Sequence, residues 1–302
     1  MDQSDLKGCQ VLGLRYDLLG AKLNSFVNAI RIGRTYDLSP RAFWALTGPG
    51  ARGRWARDLG RPDELFSAGF ISKYLLTNPP IMADMEDKLV YAQKKGPFKI
   101  VEELNDVIVD NRIIVVQERM EVISFPWENP SQCRTDFASS FNDIVDLSDQ
   151  ARREIERFHS TLSRFPSRPV GIHVRRGDII RHPVTMRGAW RGMYQPDEVI
   201  FKTIERLAEE GKKAVLFCND EEFVNKASSR FNSVIISSDQ VNQGVESSIL
   251  IDFMDIYKMS VCDYIIGSGV SAFSAVARNI GNLNLIKFEQ AISEVDFSRS
   301  EE

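Results

Sequence analysis

The chain has 302 residues, 43% of them hydrophobic, with 38 lysines and arginines against 42 aspartates and glutamates and a formal net charge of −4. That length and apolar content allow a full buried core divided between two domains. The acidic balance does not indicate wholesale nucleic-acid binding through a basic surface, though it allows local basic patches.

The N-terminus, Met1-Asp2-Gln3-Ser4-Asp5, is acidic and lacks the charged-then-apolar order of a signal peptide. Gln10 to Leu14 reads as a buried strand, and Leu19 to Asn24 opens a helix that reaches about Tyr36. Arg31 to Arg61 holds seven arginines against Asp37 and Asp58, with Trp44 and Trp55 interleaved. It fits either a solvated loop region or a patch for an anionic acceptor or membrane surface. Ile113 to Val116 is a second buried strand and Ser148 to Phe165 a helix. Two prolines within Pro166-Ser167-Arg168-Pro169 forbid regular structure and mark a linker. The expected domains are therefore 1–166 and 167–302.

From Ser163 onward strands alternate with helices, the pattern of a parallel sheet covered on both faces. Strands are expected at Pro169 to Val174, Lys213 to Cys218, Ser233 to Ile236, Asp263 to Ile266 and Leu283 to Lys287. Helices are expected from Pro196 to Glu210, Glu221 to Arg230, Val245 to Ser260 and Ala272 to Arg278. This half is Rossmann-like but has neither a G-x-G-x-x-G nor a Walker A sequence. The longest apolar stretch, Tyr264 to Ala277, is too short to span a bilayer. Cys9, Cys133, Cys218 and Cys262 include no pair at metal-ligand spacing and read as reduced core residues of a cytoplasmic protein.

In open parallel sheets ligands bind outside the carboxyl ends of the strands, and the polar residues of this half fall there. The first strand ends in Gly171-Ile172-His173-Val174-Arg175-Arg176-Gly177-Asp178. Alternation puts His173 and Arg175 on one side of the backbone, and guanidinium forks suit phosphate oxygens. A surface loop with one Arg–Asp ion pair fits the same eight residues. The second strand ends in Asn219 and Asp220. The strand after Asp263 ends in Gly267-Ser268-Gly269-Val270-Ser271, small residues entering a helix, which make either an anion cradle or a tight packing turn. Asp255 lies on the preceding helix among Ile251, Met254 and Ile256, where it reads as an ordinary solvated aspartate or as a partner for the N1–H and amine of guanine.

Together these residues resemble the fucosyltransferase superfamily of GT-B glycosyltransferases, which holds α-1,2- and α-1,6-fucosyltransferases, nodulation fucosyltransferases and protein O-fucosyltransferases. The family's H-x-R-R-x-D motif is matched by His173, Arg175, Arg176 and Asp178. A later family segment is matched by Asp255-Ile256 through Asp263-Tyr264-Ile265-Ile266 to Ser268 and Ser271. The resemblance covers about residues 168 to 290, with a weaker echo around Gly20 and Asn24. It implies an α/β GT-B fold of two Rossmann-like domains facing across a cleft. The activity implied is inverting, metal-independent transfer of fucose from GDP-fucose to a glycan or lipid-linked acceptor, with no cofactor and no nucleic-acid partner. A transferase for another nucleotide sugar, or a non-catalytic nucleotide-sugar-binding protein, is the alternative.

By the same resemblance Arg175 binds the β-phosphate and stabilises the leaving group, Arg176 assists, and Asp178 completes the motif. Ser268 and Ser271 face the phosphates, and Asp255 and the His173 backbone face guanine. Asp220, Gly20 and Asn24 are further donor-site candidates. Val270 and Ala272 replace polar turn residues of the family, so backbone N–H groups would supply some phosphate contacts. The general base is open among Asp17, Asp178 and His182. Arg52, Arg54 and Arg57 are the acceptor candidates of the basic stretch, which fit an anionic acceptor or a peripheral contact with the inner membrane face. The setting expected is bacterial polysaccharide biosynthesis in the cytoplasm.

Overall fold

The computed structural model describes residues 10–15, 19–44, 60–76, 99–101, 113–116, 118–125, 127–163, 165–176, 194–238, 248–268 and 271–293. The chain divides into two compact units, Met1–Arg153 with Glu246–Phe253, and Glu154–Val245 with Met254–Glu302. The boundary expected at residue 166 lies inside the second of them. Among the described residues no helix is long and apolar enough to cross a membrane.

The first unit is built on β1 (Gln10–Leu14), whose residues 11–14 are buried, as its apolar run predicts. Around it lie β2 (Ser39–Phe43), β3 (Leu75–Leu76), β4 (Lys99–Val101) and β5 (Ile113–Val116), in the order β3-β2-β1-β5-β4. All pairings are parallel except β4 against β5. The β2 strand, which carries Pro40, was not among the expected elements. Its register explains the tolerance, because β3 pairs only with Ala42 and Phe43 and leaves Pro40 beyond its reach.

Helix α1 (Leu19–Tyr36) crosses from β1 to β2 with residues 19–33 buried. It lies so close to β1 that a Cβ on Gly13 would come within 2.8 Å of the Phe26 Cα. One face of α1 is polar yet buried. The Asn24 amide donates to the carbonyls of Glu118 and Glu121, at 3.3 and 3.0 Å. Asn28 donates to Glu121 O and accepts from Ile123 N. Arg31 donates to Ile123 O and pairs with Glu128 at 2.6 Å. Spaced at i, i+4 and i+7, these side chains satisfy a segment that has no regular structure of its own.

Three more helices follow: α2 (Ala68–Tyr74), capped by Ser67; α3 (Pro130–Ile144), opened by an Asn129–Gln132 capping box; and α4 (Asp149–Leu162). Cys133 and Cys262 are buried and Cys218 half-buried, all as free thiols.

The second unit holds β6 (Val170–Val174), β7 (Ala214–Cys218), β8 (Ile235–Ser237), β9 (Ile265–Gly267) and β10 (Leu285–Lys287) in the order β10-β9-β6-β7-β8, all parallel. Its helices are α5 (Asp197–Glu209), α6 (Glu221–Phe231), α7 (Ser248–Ser260), α8 (Ala272–Gly281) and α9 (Phe288–Ile292). Because α7 spans the division after Phe253, only Met254–Ser260 of it belong to this unit. Val170, Ile172, Ile204, Leu216 and Phe223 are among the residues that fill one core against the sheet. Asn282, in the left-handed region at φ 50°, ends α8.

Candidate functional site

The carboxyl edge of the second sheet gathers the polar residues expected there. β6 is central, and its His173 lies opposite Gly267 on β9 and Phe217 on β7. The His173 ring is buried and stacked on Phe273, with centroids 5.4 Å apart. Its Nδ1 is buried without a hydrogen-bond partner. Burial first, and then the neighbouring Arg175 charge, push its pKa down to about 3, so the ring is neutral at physiological pH.

Beside it, Ser268 and Ser271 are both buried. The Ser271 N–H donates to Ser268 O at 3.3 Å, and Ser274 Oγ lies 3.3 Å from the carbonyls of both residues. This pins the turn. Ser271 occupies the N-cap of α8 with extended backbone, yet its hydroxyl caps nothing. It is 0% exposed and has no hydrogen-bond partner. A buried hydroxyl left unmet costs about 1–3 kcal/mol, and the N–H groups of a helix's first turn attract anions. Ser271 thus leaves an unsatisfied buried hydroxyl at the N-terminus of α8.

The two arginines part company. Arg175 is half-buried just past β6. Arg176 turns into the unit, where its Nη2 reaches Asp197 at 2.5 Å and Gln195 O at 3.1 Å. Its guanidinium lies 4.1 Å over the Phe223 ring, and its backbone N–H donates to Asn219. Against the burial that raises it, Lys226 and Arg176 hold the Asp197 carboxyl below its usual range. Arg176 is thus an internal brace that ties β6 to α5 and α6.

Asp220 is the N-cap of α6, accepting from Phe223 N at 3.2 Å. Asp255 is half-buried on α7 and accepts from the Ser238 hydroxyl at 3.5 Å. Ser238 is itself 1% exposed. It was not anticipated, although it follows an apolar strand as Asn219 does, the signal that marked the other sites. In the first unit, Gly20 is buried and Asn24 is engaged by the 118–121 segment. Arg31, grouped by sequence with a basic stretch that is either solvated or an acceptor patch, is instead buried against Glu128. Arg34 pairs with Asp143 and Arg61 with Asp63 at the surface. Asp17, Asp178, His182, Arg52, Arg54 and Arg57 lie outside the described residues. Among the described residues no group of three or more His, Cys, Asp and Glu side chains could hold a metal ion.

No protein-family model matches the chain, and no curated protein matches it. Its mixed α/β architecture of two largely parallel sheets is consistent with the GT-B fold of the fucosyltransferase structures it resembles. The solved structures it resembles include fucosyltransferase NodZ from Bradyrhizobium, with a TM-score of 0.50 and 14% identity over 89% of this chain and 92% of that one. An arginine-to-lysine variant of FUT1 from Arabidopsis thaliana, in complex with GDP, has a TM-score of 0.55 and 14% identity over 92% of this chain and 70% of that one. POFUT1 in complex with GDP has a TM-score of 0.50 and 11% identity over 93% and 97%. At these identities the likeness is one of fold.

Proposed function

We propose that the chain is an inverting glycosyltransferase that moves fucose from GDP-fucose to a glycan or lipid-linked acceptor. The observation that carries this reading is the pair of orphaned polar atoms, Ser271 Oγ and His173 Nδ1, at the N-terminus of α8 and the carboxyl end of β6. A diphosphate supplies the acceptors that the hydroxyl and the first-turn N–H groups lack. Two of the similar structures, FUT1 and POFUT1, are complexes with GDP. The resemblance of His173, Arg175, Arg176 and Asp178 to the H-x-R-R-x-D motif adds the sugar donor.

In this mechanism the anomeric carbon–oxygen bond to the β-phosphate breaks as the acceptor hydroxyl attacks the opposite face. Negative charge grows on the β-phosphate, where Arg175 and the α8 N-terminus meet it. A preorganised donor of this kind contributes about 3–4 kcal/mol, so the reading needs no metal. Arg176 holds the end of β6 in place through Asp197 and Phe223. Asp255, oriented by Ser238, accepts from N1–H and the exocyclic amine of guanine. The acceptor proton goes to a carboxylate or imidazole among Asp17, Asp178 and His182.

The test is GDP release from GDP-fucose in the presence of oligosaccharide acceptors, with and without EDTA. Arg175→Ala should keep less than a tenth of wild-type turnover, a loss above ~1.4 kcal/mol, with its melting temperature intact. Arg176→Ala should lower the melting temperature. Retention of most turnover in Arg175→Ala would remove the leaving-group role.

A further inference from the structure

A cavity of about 200 Å³ opens in the first unit, lined among others by Arg31, Arg34, Phe125, Glu128, Asp136 and Ser139. It sits at the C-terminal end of α1. Because α1 connects the parallel strands β1 and β2, that end lies at the amino edge of the sheet. Gly20, at the other end of the helix, is roughly 20 Å away. Ligands of parallel sheets bind at the carboxyl edge, so this cavity is separate from any reaction centre on that sheet.

Three features of the cavity point to an occupant. Trp127 is 65% exposed, one of two large apolar side chains left open among the described residues. It is nevertheless held flat, stacked on Phe125 with planes 7° apart and centroids at 5.2 Å. Phe125 lines the cavity together with Glu128, the residue that follows Trp127 in the chain. Arg31 lines the cavity as well, and its Nε is buried with no hydrogen-bond partner. Charges in the lining balance, two arginines against Glu128 and Asp136, and Arg31 and Arg34 are further paired with Glu128 and Asp143.

We propose that this cavity and the Trp127 face form a second, non-catalytic binding site for a neutral glycan. A pyranose ring has an apolar C–H face that lies on an aromatic plane, and adjacent hydroxyls that both donate and accept. Asp136 takes two such donors. The balanced lining disfavours a phosphate or carboxylate ligand. The volume is below the ~300–1,000 Å³ of pockets for drug-sized ligands and suits one ring, the rest of the chain running over Trp127. The inference stands on the chemistry of the cavity and does not depend on the donor assignment.

The full-length protein is titrated with cellohexaose, chitohexaose and hexagalacturonate, read by tryptophan fluorescence and calorimetry, with GDP binding measured alongside. At least one neutral hexamer should bind saturably and more tightly than the galacturonate. Trp127→Ala and Asp136→Ala should each weaken it by about tenfold or more, Trp127→Phe should retain binding, and GDP affinity should not change. Both substituted side chains are exposed, so the melting temperature should be unmoved. Absence of saturable neutral-glycan binding, or binding indifferent to Trp127→Ala, would overturn the proposal. So would a dimer that Trp127→Ala dissolves in a protein that binds no hexamer, since a second copy would then own this face.

Discussion

His173 and Ser271 each carry a stability cost at one edge of the second sheet. The His173 pKa falls from an ordinary 6.5 to about 3 on folding. Between those values the unfolded chain binds a proton that the folded chain refuses, so stability is lost as pH drops from 6.5 toward 3. The slope is about 1.4 kcal/mol per pH unit. Urea unfolding at pH 7 and pH 5 should differ by roughly 2 kcal/mol from this residue, and His173→Gln should flatten the dependence by that amount. An unchanged slope would mean the ring is solvated. Ser271→Ala removes a buried hydroxyl that nothing satisfies. It should leave the melting temperature equal or higher while weakening GDP; a fall in stability would give the hydroxyl a structural partner instead. At this scale strand alternation put His173 and Arg175 on one side of the backbone and set Arg176 apart. The bracing role of Arg176 was not legible, because Asp197 and Phe223, which claim it, are brought in by tertiary packing.

The elements most legible in the sequence are those whose burial is nearly complete. β1, α1 and β5 occupy the residues expected, since an apolar run or a long helical stripe leaves little choice. α3 has only Cys133, Phe137, Ser140 and Phe141 buried, a stripe too narrow to stand out in sequence. β2 owes its conformation to pairing with β1, which no local pattern encodes. The polar face of α1 was invisible for a similar reason. Its asparagines and Arg31 answer a segment more than ninety residues away. Contact between β1 and α1 gives the sharpest test at this scale. Gly13→Ala places a Cβ against backbone atoms of Ser25 and Phe26 that cannot yield, and should cost about 3 kcal/mol or more. Gly69→Ala, whose added Cβ meets only the Ser67 hydroxyl at 3.9 Å, should be neutral or stabilising by up to about 1 kcal/mol. Equal effects in chemical denaturation would dissolve the close-approach argument.

For the whole molecule, strict strand–helix alternation after residue 169 made the second sheet readable as parallel, with its ligand edge at the carboxyl ends. The first sheet was only partly readable, because β3 and β4 are two and three residues long and β4 runs antiparallel. The chain division near residue 153 falls inside α4, and a helix gives no compositional sign of a boundary. Fold likeness at 11–14% identity leaves the chemistry to the site itself. The proposed chemistry puts a diphosphate at Ser271 and Arg175 and a guanine at Asp255. Calorimetric titration of GDP, UDP and ADP into the wild-type chain, Arg175→Ala and Asp255→Asn tests it most directly. GDP should bind the wild type about tenfold or more tightly than UDP or ADP, Arg175→Ala should weaken all three, and Asp255→Asn should erase the preference for GDP. Equal affinity of the wild type for the three nucleotides, or no binding of GDP, would contradict the assignment.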